Sequence, residues 1–348
     1  MKITVITVCL NSVKTIEKTI KSVIDQDYID KEYIIVDGGS TDGTLDIILK
    51  YKQYITKWIS ESDRGIFDAM NKGIQMASGD VIAFLNSDDW YVDGALSMIG
   101  ETFDKTFCDC VCCDNYVIEK SGKYTYFDAS NVKENDVYKR MIYYHSSIFA
   151  RKEFFEKGNN FDLQYKIAAD YDWFLRKVKG GMKIFYLHKP IFTFCYGGIS
   201  SVNEIDCARE ARTIAIQHLP EEKTEYLKSI DNRYYDIVVN ASDHKYLHER
   251  IRKIIKNDNS VVIWGAGERG RQCLKWLQEA GRQVEFIVDK NENKWGNTIN
   301  GVLITSSEHL CNKERNVIIT PAEYAEEIKK EISLIKGAFN CILLIDLI

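Results

Sequence analysis

Asp80-Val81-Ile82-Ala83-Phe84-Leu85-Asn86-Ser87-Asp88-Asp89-Trp90-Tyr91 runs from an apolar stretch straight onto two adjacent carboxylates. Val81 to Leu85 show no polar alternation, which predicts a strand covered on both faces, as in a parallel sheet. Ligands of open α/β sheets bind where such strands end. Neighbouring carboxylates there repel each other unless a cation or a hydrogen-bond donor lies between them. Asp88-Asp89 therefore reads as the corner of a site for a metal and a nucleotide. A polar turn capping a helix near Asp93 is the plainer alternative.

Upstream, strands and helices alternate. Ile3 to Val8, Tyr33 to Val36 and Ile55 to Ser60 read as strands. Between them Val13, Ile16, Ile20, Val23 and Ile24 share a helical face, as do Leu45, Ile48 and Leu49. Ile66, Ala69, Met70, Gly73 and Ile74 mark the helix that leads into Asp80. Alternation of this kind predicts a parallel, doubly wound sheet. Asp37, Asp63, Asp88 and Asp89 then fall at or just beyond strand carboxyl ends, on one rim.

Downstream the pattern turns antiparallel. Val111 to Ile118 and Lys123 to Phe127 flank a Ser121-Gly122 turn, and His145 to Ala150 is a further candidate strand. Asp170 to Arg176 begins a helix that closes at Gly180-Gly181. Two short strands, Met182 to Leu187 and Ile191 to Tyr196, lead to a Gly197–Ser201 loop. These readings give a mixed α/β domain over 1–203, a charged helical connector over 204–256 and a second domain over 257–348.

The 348 residues are too many for one typical core, and 45% of them are hydrophobic. A net charge of -5 argues against a nucleic-acid partner. No apolar run approaches the roughly 18 residues that span a membrane. The amino terminus lacks a signal peptide's apolar core, so the ten cysteines are expected reduced in the cytoplasm. Cys108, Cys110, Cys112 and Cys113 tempt a zinc assignment, but paired C-x-x-C spacing and a nearby histidine are lacking. Their alternation suits the inward face of a strand.

Taken together, Thr7-Val8-Cys9-Leu10-Asn11, Val36 to Thr44, Asp63 to Gly73, Asn86-Ser87-Asp88-Asp89 and Ala169-Asp170-Tyr171-Asp172 resemble the family 2 glycosyltransferases of GT-A fold. The resemblance implies inverting transfer of a sugar from a nucleotide-sugar donor, with uracil the implied base, to a glycan or lipid-linked glycan hydroxyl. Surface polysaccharide synthesis is the implied setting, at the inner face of the membrane. It implies that Thr7, Asn11, Asp37, Asp63, Asn71 and Asp88 bind the nucleotide sugar, with Asp37 on the base and Asp88 at the ribose. Asp89, with Asp88, would ligate Mg²⁺ or Mn²⁺. Asn86 departs from the aspartate many relatives carry, which blurs that division. Asp170 would be the catalytic base, or a plain helix cap. Asp172 is the alternative base, and His145 an acceptor or phosphate contact or a packing residue.

In the second domain Gly265-Ala266-Gly267-Glu268-Arg269-Gly270 follows the strand Ser260 to Trp264, and Asp289 ends the next strand. That is a G-x-G-x-x-G turn in its strand–turn–helix setting. Gly265, Gly267, Gly270 and Asp289 form a possible second nucleotide site in a small Rossmann-like domain, which is short for a second mononucleotide half. Packing or homo-oligomer formation is the other role. A nicotinamide-dependent sugar oxidoreductase and a non-catalytic nucleotide-sugar-binding protein are the alternative functions.

Overall fold

The structure, a computed structural model, describes residues 1–129, 134–155, 158, 160–198, 203–241, 244–255, 260–311 and 314–348, without the side chains of Glu134, Lys223, Thr224 and Tyr246. The chain divides into two compact units, Met1–Tyr226 and Leu227–Ile348.

In the first unit β1 (Ile3–Cys9), β2 (Lys31–Asp37), β3 (Lys57–Ser60) and β4 (Val81–Phe84) lie parallel in the order β3-β2-β1-β4. Helices α1 (Ile16–Ile24), α2 (Thr44–Lys50) and α3 (Ile66–Met76) make the crossovers. All of β1 and β4 is buried; β4 is wholly apolar, and β1 is apolar but for Thr4 and Thr7, whose hydroxyls are hydrogen-bonded. Gly73 of α3 presses on the sheet. A Cβ there would stand 2.5 Å from the Ile6 side chain, so only glycine permits this approach.

Beyond β4 come β5 (Trp90–Tyr91), α4 (Ala95–Thr106), β6 (Cys110–Ile118), β7 (Tyr124–Phe127), β8 (Ile148–Arg151), α5 (Ala169–Lys179) and β9 (Ile184–Cys195). They extend the sheet as β4-β8-β6-β9-β5, with β7 beside β6. Three sequence expectations need correction. The strands expected at 182–187 and 191–196 are one strand, β9, whose register against β6 shifts around Asp114, opposite Pro190. A proline without an N–H is tolerated at such a bulge, and it made one strand read as two. His145–Ser147 is a 3-10 turn rather than a strand start, closed by Ser147 N donating to Tyr144 O at 2.8 Å. The 204–256 stretch is not one body: α6 (Glu204–His218) lies in the first unit, while α7 (Leu227–Asn240) and α8 (Lys245–Ile254) lie in the second.

The second unit holds β10 (Ser260–Trp264), α9 (Glu268–Glu279), β11 (Val284–Val288), β12 (Thr298–Ile299), β13 (Val302–Thr305), β14 (Glu314–Ile319), α10 (Ala325–Ser333), β15 (Ala338–Leu343) and α11 (Leu344–Leu347). Its sheet runs β12-β13-β11-β10-β14-β15, parallel except for the β12–β13 pair. The strands expand in both directions from β10, the doubly wound arrangement. The second half for which the domain reads as short is present in part, as β14, α10 and β15. Ala338-Phe339-Asn340-Cys341-Ile342-Leu343 lacks both alternation and an unbroken apolar run, so β15 gave little sequence signal.

Candidate active site

The carboxyl ends of β2, β3 and β4 gather the expected acidic residues on one rim, but most are already held by their own chain. Asp37 is fully buried at the end of β2. It accepts from Ser40 N at 3.0 Å, from Ser60 Oγ at 2.6 Å and from the Ser40 hydroxyl. Burial opposes its charge, yet these donors outweigh burial and hold its carboxyl below the usual value. Asp63 packs beside it, with one oxygen 2.5 Å from where a Gly38 Cβ would stand and the other accepting from Gly65 N. Asn11 adopts a left-handed φ of 52° and accepts from Thr41 N at 3.0 Å, fastening the Gly38–Thr41 loop to β1. Ser12 and Ser87 share a hydroxyl bond of 2.8 Å across the rim.

The Asp88-Asp89 pair divides sharply. Asp89, the expected metal ligand, is 0% exposed, and both its oxygens are occupied. Cys195 N donates to Oδ1 at 3.0 Å and Ser146 Oγ to Oδ2 at 3.1 Å. Burial, then the charge of Asp88, pushes its pKa well up. Asp88 is the half-buried member, its carboxyl raised by burial and relieved only by its own backbone. Gly198 passes alongside, with a virtual Cβ 3.5 Å from Oδ2. A carboxylate to which no side chain among the described residues donates, next to a second acid, suits a hard cation that takes its remaining ligands from phosphate and water. The geometry thus fits the metal to Asp88 rather than to the enclosed Asp89.

Asp170 stands in the first turn of α5. Burial pushes its carboxyl up to about 6, against donation from Tyr171 N, and the Glu210 charge adds to the rise. His145 connects it to the rim: Nδ1 lies 3.8 Å from Asp170 Oδ2, and Nε2 lies 3.0 Å from Asn86 Oδ1. Burial drives the His145 imidazole down to about 4, so it is neutral near pH 7. A neutral ring donating from Nε2 to Asn86 turns its Nδ1 lone pair toward Asp170.

Asp172, the alternative base, points elsewhere. It is buried and takes Arg176 Nε at 2.8 Å and His218 Nε2 at 2.8 Å. Two residues along a helix rotate a side chain by more than half a turn, which separates it from Asp170.

Two further candidates are structural. Thr7 is buried within β1 and accepts from Tyr33 OH at 3.2 Å. Asn71 brackets the Phe161 backbone, donating to its O at 2.9 Å and accepting from its N at 3.1 Å. Of the Gly197–Ser201 loop, 199–201 lie outside the described residues. Cys110 and Cys112 face each other at 3.9 Å within the core, as the alternation suggested.

Sequence reasoning missed several participants. Ser40, quoted only as part of a motif, anchors Asp37. Glu210, in a charged helix with no motif, grips the approach to α5. Asp114, Asp128 and His188 place ligand atoms within 4.8 Å of one another. Asp114 there already accepts from Ala129 N and the Tyr126 hydroxyl.

In the second unit a Cβ on Gly270 would lie 1.8 Å from Gly265 O, so that glycine lets α9 close on the β10 turn. Gly267 has open space around its Cβ position and an ordinary φ of -80°. Asp289, expected at a ribose, is occupied by Ala266 N at 2.8 Å and Lys294 Nζ at 2.9 Å.

Residues 4–176 match the family described as Glycosyl transferase family 2, and residues 257–340 match one described as C2185-like, N-terminal. A PGL/p-HBAD biosynthesis glycosyltransferase of Mycobacterium bovis is 29% identical over 204 residues, spanning 55% of this chain and 76% of its own. A cholesterol galactosyltransferase of Borreliella burgdorferi is 29% identical over 168 residues, 44% of this chain and 45% of its own. Among solved structures, S. aureus TarS in complex with UDP-GlcNAc superposes at a TM-score of 0.56 with 20% identity, over 73% of this chain and 82% of that one. The mannosyltransferase PcManGT of Pyrobaculum calidifontis gives 0.52 with 16% identity, over 67% and 70%. At such identities the structural likeness establishes the GT-A fold.

Proposed function

The chain belongs to glycosyltransferase family 2 through residues 4–176, and from that premise we propose an inverting transfer from a uridine-diphosphate sugar to an acceptor hydroxyl, with Asp170 as base. The observation that carries this reading is the connection of Asn86, His145 and Asp170, which joins a carboxyl raised to about 6 to the rim bearing Asp88. A base must take the acceptor proton as the oxygen attacks, and a carboxylate with a raised pKa holds that proton better. His145 is neutral, and its Nδ1 lone pair faces Asp170 Oδ2 at 3.8 Å, beyond hydrogen-bond length, so it adds no charge beside the carboxyl.

Asp88 would hold Mg²⁺ or Mn²⁺. When bound, the ion supplies positive charge against the departing diphosphate. Asp89 fixes the same corner from behind by tying β9 to the 3-10 turn. Asp37 meets a uracil-like imide only by exchanging a serine hydroxyl for it, so its part is to shape the Gly38–Ser40 loop beside Asp63. An acceptor with an apolar body is supported by the relative named for transfer to cholesterol. No described helix is long and apolar enough to cross a membrane.

The test is thermal unfolding of the whole chain with a panel of nucleotide sugars, with and without Mn²⁺. A bound donor at a hundredfold excess over its Kd stabilises by about 2.7 kcal/mol. Metal-dependent stabilisation by a UDP-sugar, lost in Asp88→Ala and kept in Asp170→Asn, is the expected pattern. Stabilisation by nicotinamide dinucleotides alone would overturn the reading.

A further inference from the structure

The first turn of α5 carries Asp170 but has no side-chain cap of its own, since Ala168 occupies the N-cap position. An acceptor for the backbone donors ahead of it comes from α6. Glu210 accepts from three consecutive backbone N–H groups, Lys166 at 2.9 Å, Ile167 at 2.8 Å and Ala168 at 3.0 Å. Successive N–H groups converging on one carboxylate form an anion nest, and such charge-assisted bonds are about twice as strong as neutral ones. Two more ties lie on the same helix face. Tyr165 OH donates to Gln217 Oε1 at 2.8 Å, and His218 meets Asp172 at 2.8 Å. Positions 210, 217 and 218 are spaced for one helical face. That face of α6 therefore clamps the segment entering α5 and the first turn of α5 itself.

We propose that Glu210 is a positioning residue for the transfer reaction, fixing the backbone of residues 166–168 so that Asp170 is presented to the acceptor. The inference rests on Asp170 being the base. Its carboxylate also sets a negative charge against the positive amino-terminal end of α5, which would otherwise make Asp170 a weaker base. Among the described residues, the titratable groups facing Asp170 are the neutral His145 from the 3-10 turn and the charged Glu210 from α6. On its own helix, Asp172 and Arg176 are paired with each other, and Asp172 also with His218.

The experiment measures UDP release against pH for the full chain with Mn²⁺, from UDP-glucose or UDP-N-acetylglucosamine, whichever stabilises it, with water as acceptor. The variants are Glu210→Ala, Glu210→Gln and Asp170→Asn. Glu210→Ala is expected to lower kcat on the order of tenfold or more through misplacement of the base, with donor KM within about twofold. Glu210→Gln keeps one acceptor oxygen while removing the charge. It should recover most of kcat at high pH and move the acid limb of the profile to lower pH. A purely structural role would not move that limb. If Asp170→Asn is inactive while both Glu210 variants keep the wild-type kcat and limb, the positioning role is overturned and the base reading stands. If Asp170→Asn turns over at the wild-type rate, the base reading itself has failed. Should Glu210→Ala not fold, Glu210→Gln decides alone, and an unshifted limb overturns the proposal.

Discussion

Asp170 shows what a raised carboxyl implies for both activity and stability. Its folded value of about 6 lies above the ordinary 3.8, so the folded chain binds this proton more tightly than the unfolded chain. The stabilisation is present at low pH and is lost as pH rises from 3.8 through about 6. Above that, keeping the charge buried costs up to about 3 kcal/mol. Asp170→Asn is therefore expected to raise the unfolding midpoint at pH 7 while lowering kcat about 10²- to 10⁴-fold, as measured by calorimetry and initial rates. The base must be ionised, so kcat/KM should fall about tenfold per pH unit below the limb near 6. His145, pushed down to about 4, should add no second limb between pH 5 and 8. A limb that survives in Asp170→Asn would assign the titration to another group.

Among the elements, α5 and the β10 turn carry the sharpest contrasts. Asp172 stands two residues from Asp170 but belongs to the clamp rather than to the chemistry. Asp172→Ala removes the carboxylate that Arg176 and His218 share and is expected to cost about 3 kcal/mol in denaturant unfolding, with the acid limb unmoved. In the second unit Gly270→Ala forces a carbon against Gly265 O and should destabilise that unit. Gly267→Ala meets open space and should leave the unfolding midpoint unchanged. A nucleotide effect confined to Gly267→Ala would therefore report ligand approach to the loop, readable by thermal shift. The strand–helix alternation through β4 was legible because short apolar runs alternate with stretches of clean helical spacing, and Asp88-Asp89 announced the rim. What stayed hidden was competition between side chains. Nothing in the sequence says that Ser40 and Ser60 occupy Asp37, or that Cys195 N and Ser146 enclose Asp89. Asp170 and Asp172 look alike as letters and differ only through Arg176 and His218. Glu210, far along an unmarked helix, had no signal at all.

Among the described residues, one core is built around β1, β2 and β4 of the first unit and another around β10, β11 and β14 of the second. Each is large enough to unfold as a unit of its own. Calorimetry is expected to resolve two transitions, of which UDP with Mn²⁺ raises one and Asp88→Ala abolishes that rise. Movement of both transitions by equal amounts would show that the donor is not confined to the first unit. The bond from Cys195 N to Asp89 also bears on biosynthesis, because it joins residues 106 positions apart. During translation the parallel strands can pair as they emerge, while contacts across long loops must wait. A nascent chain halted before residue 195 would hold a sheet in which the buried Asp89 still lacks that backbone donor. The donor corner is thus finished late, only after β9 has been made and docked. Cys195→Pro, which deletes that one N–H, would leave a full-length protein resembling the unfinished one.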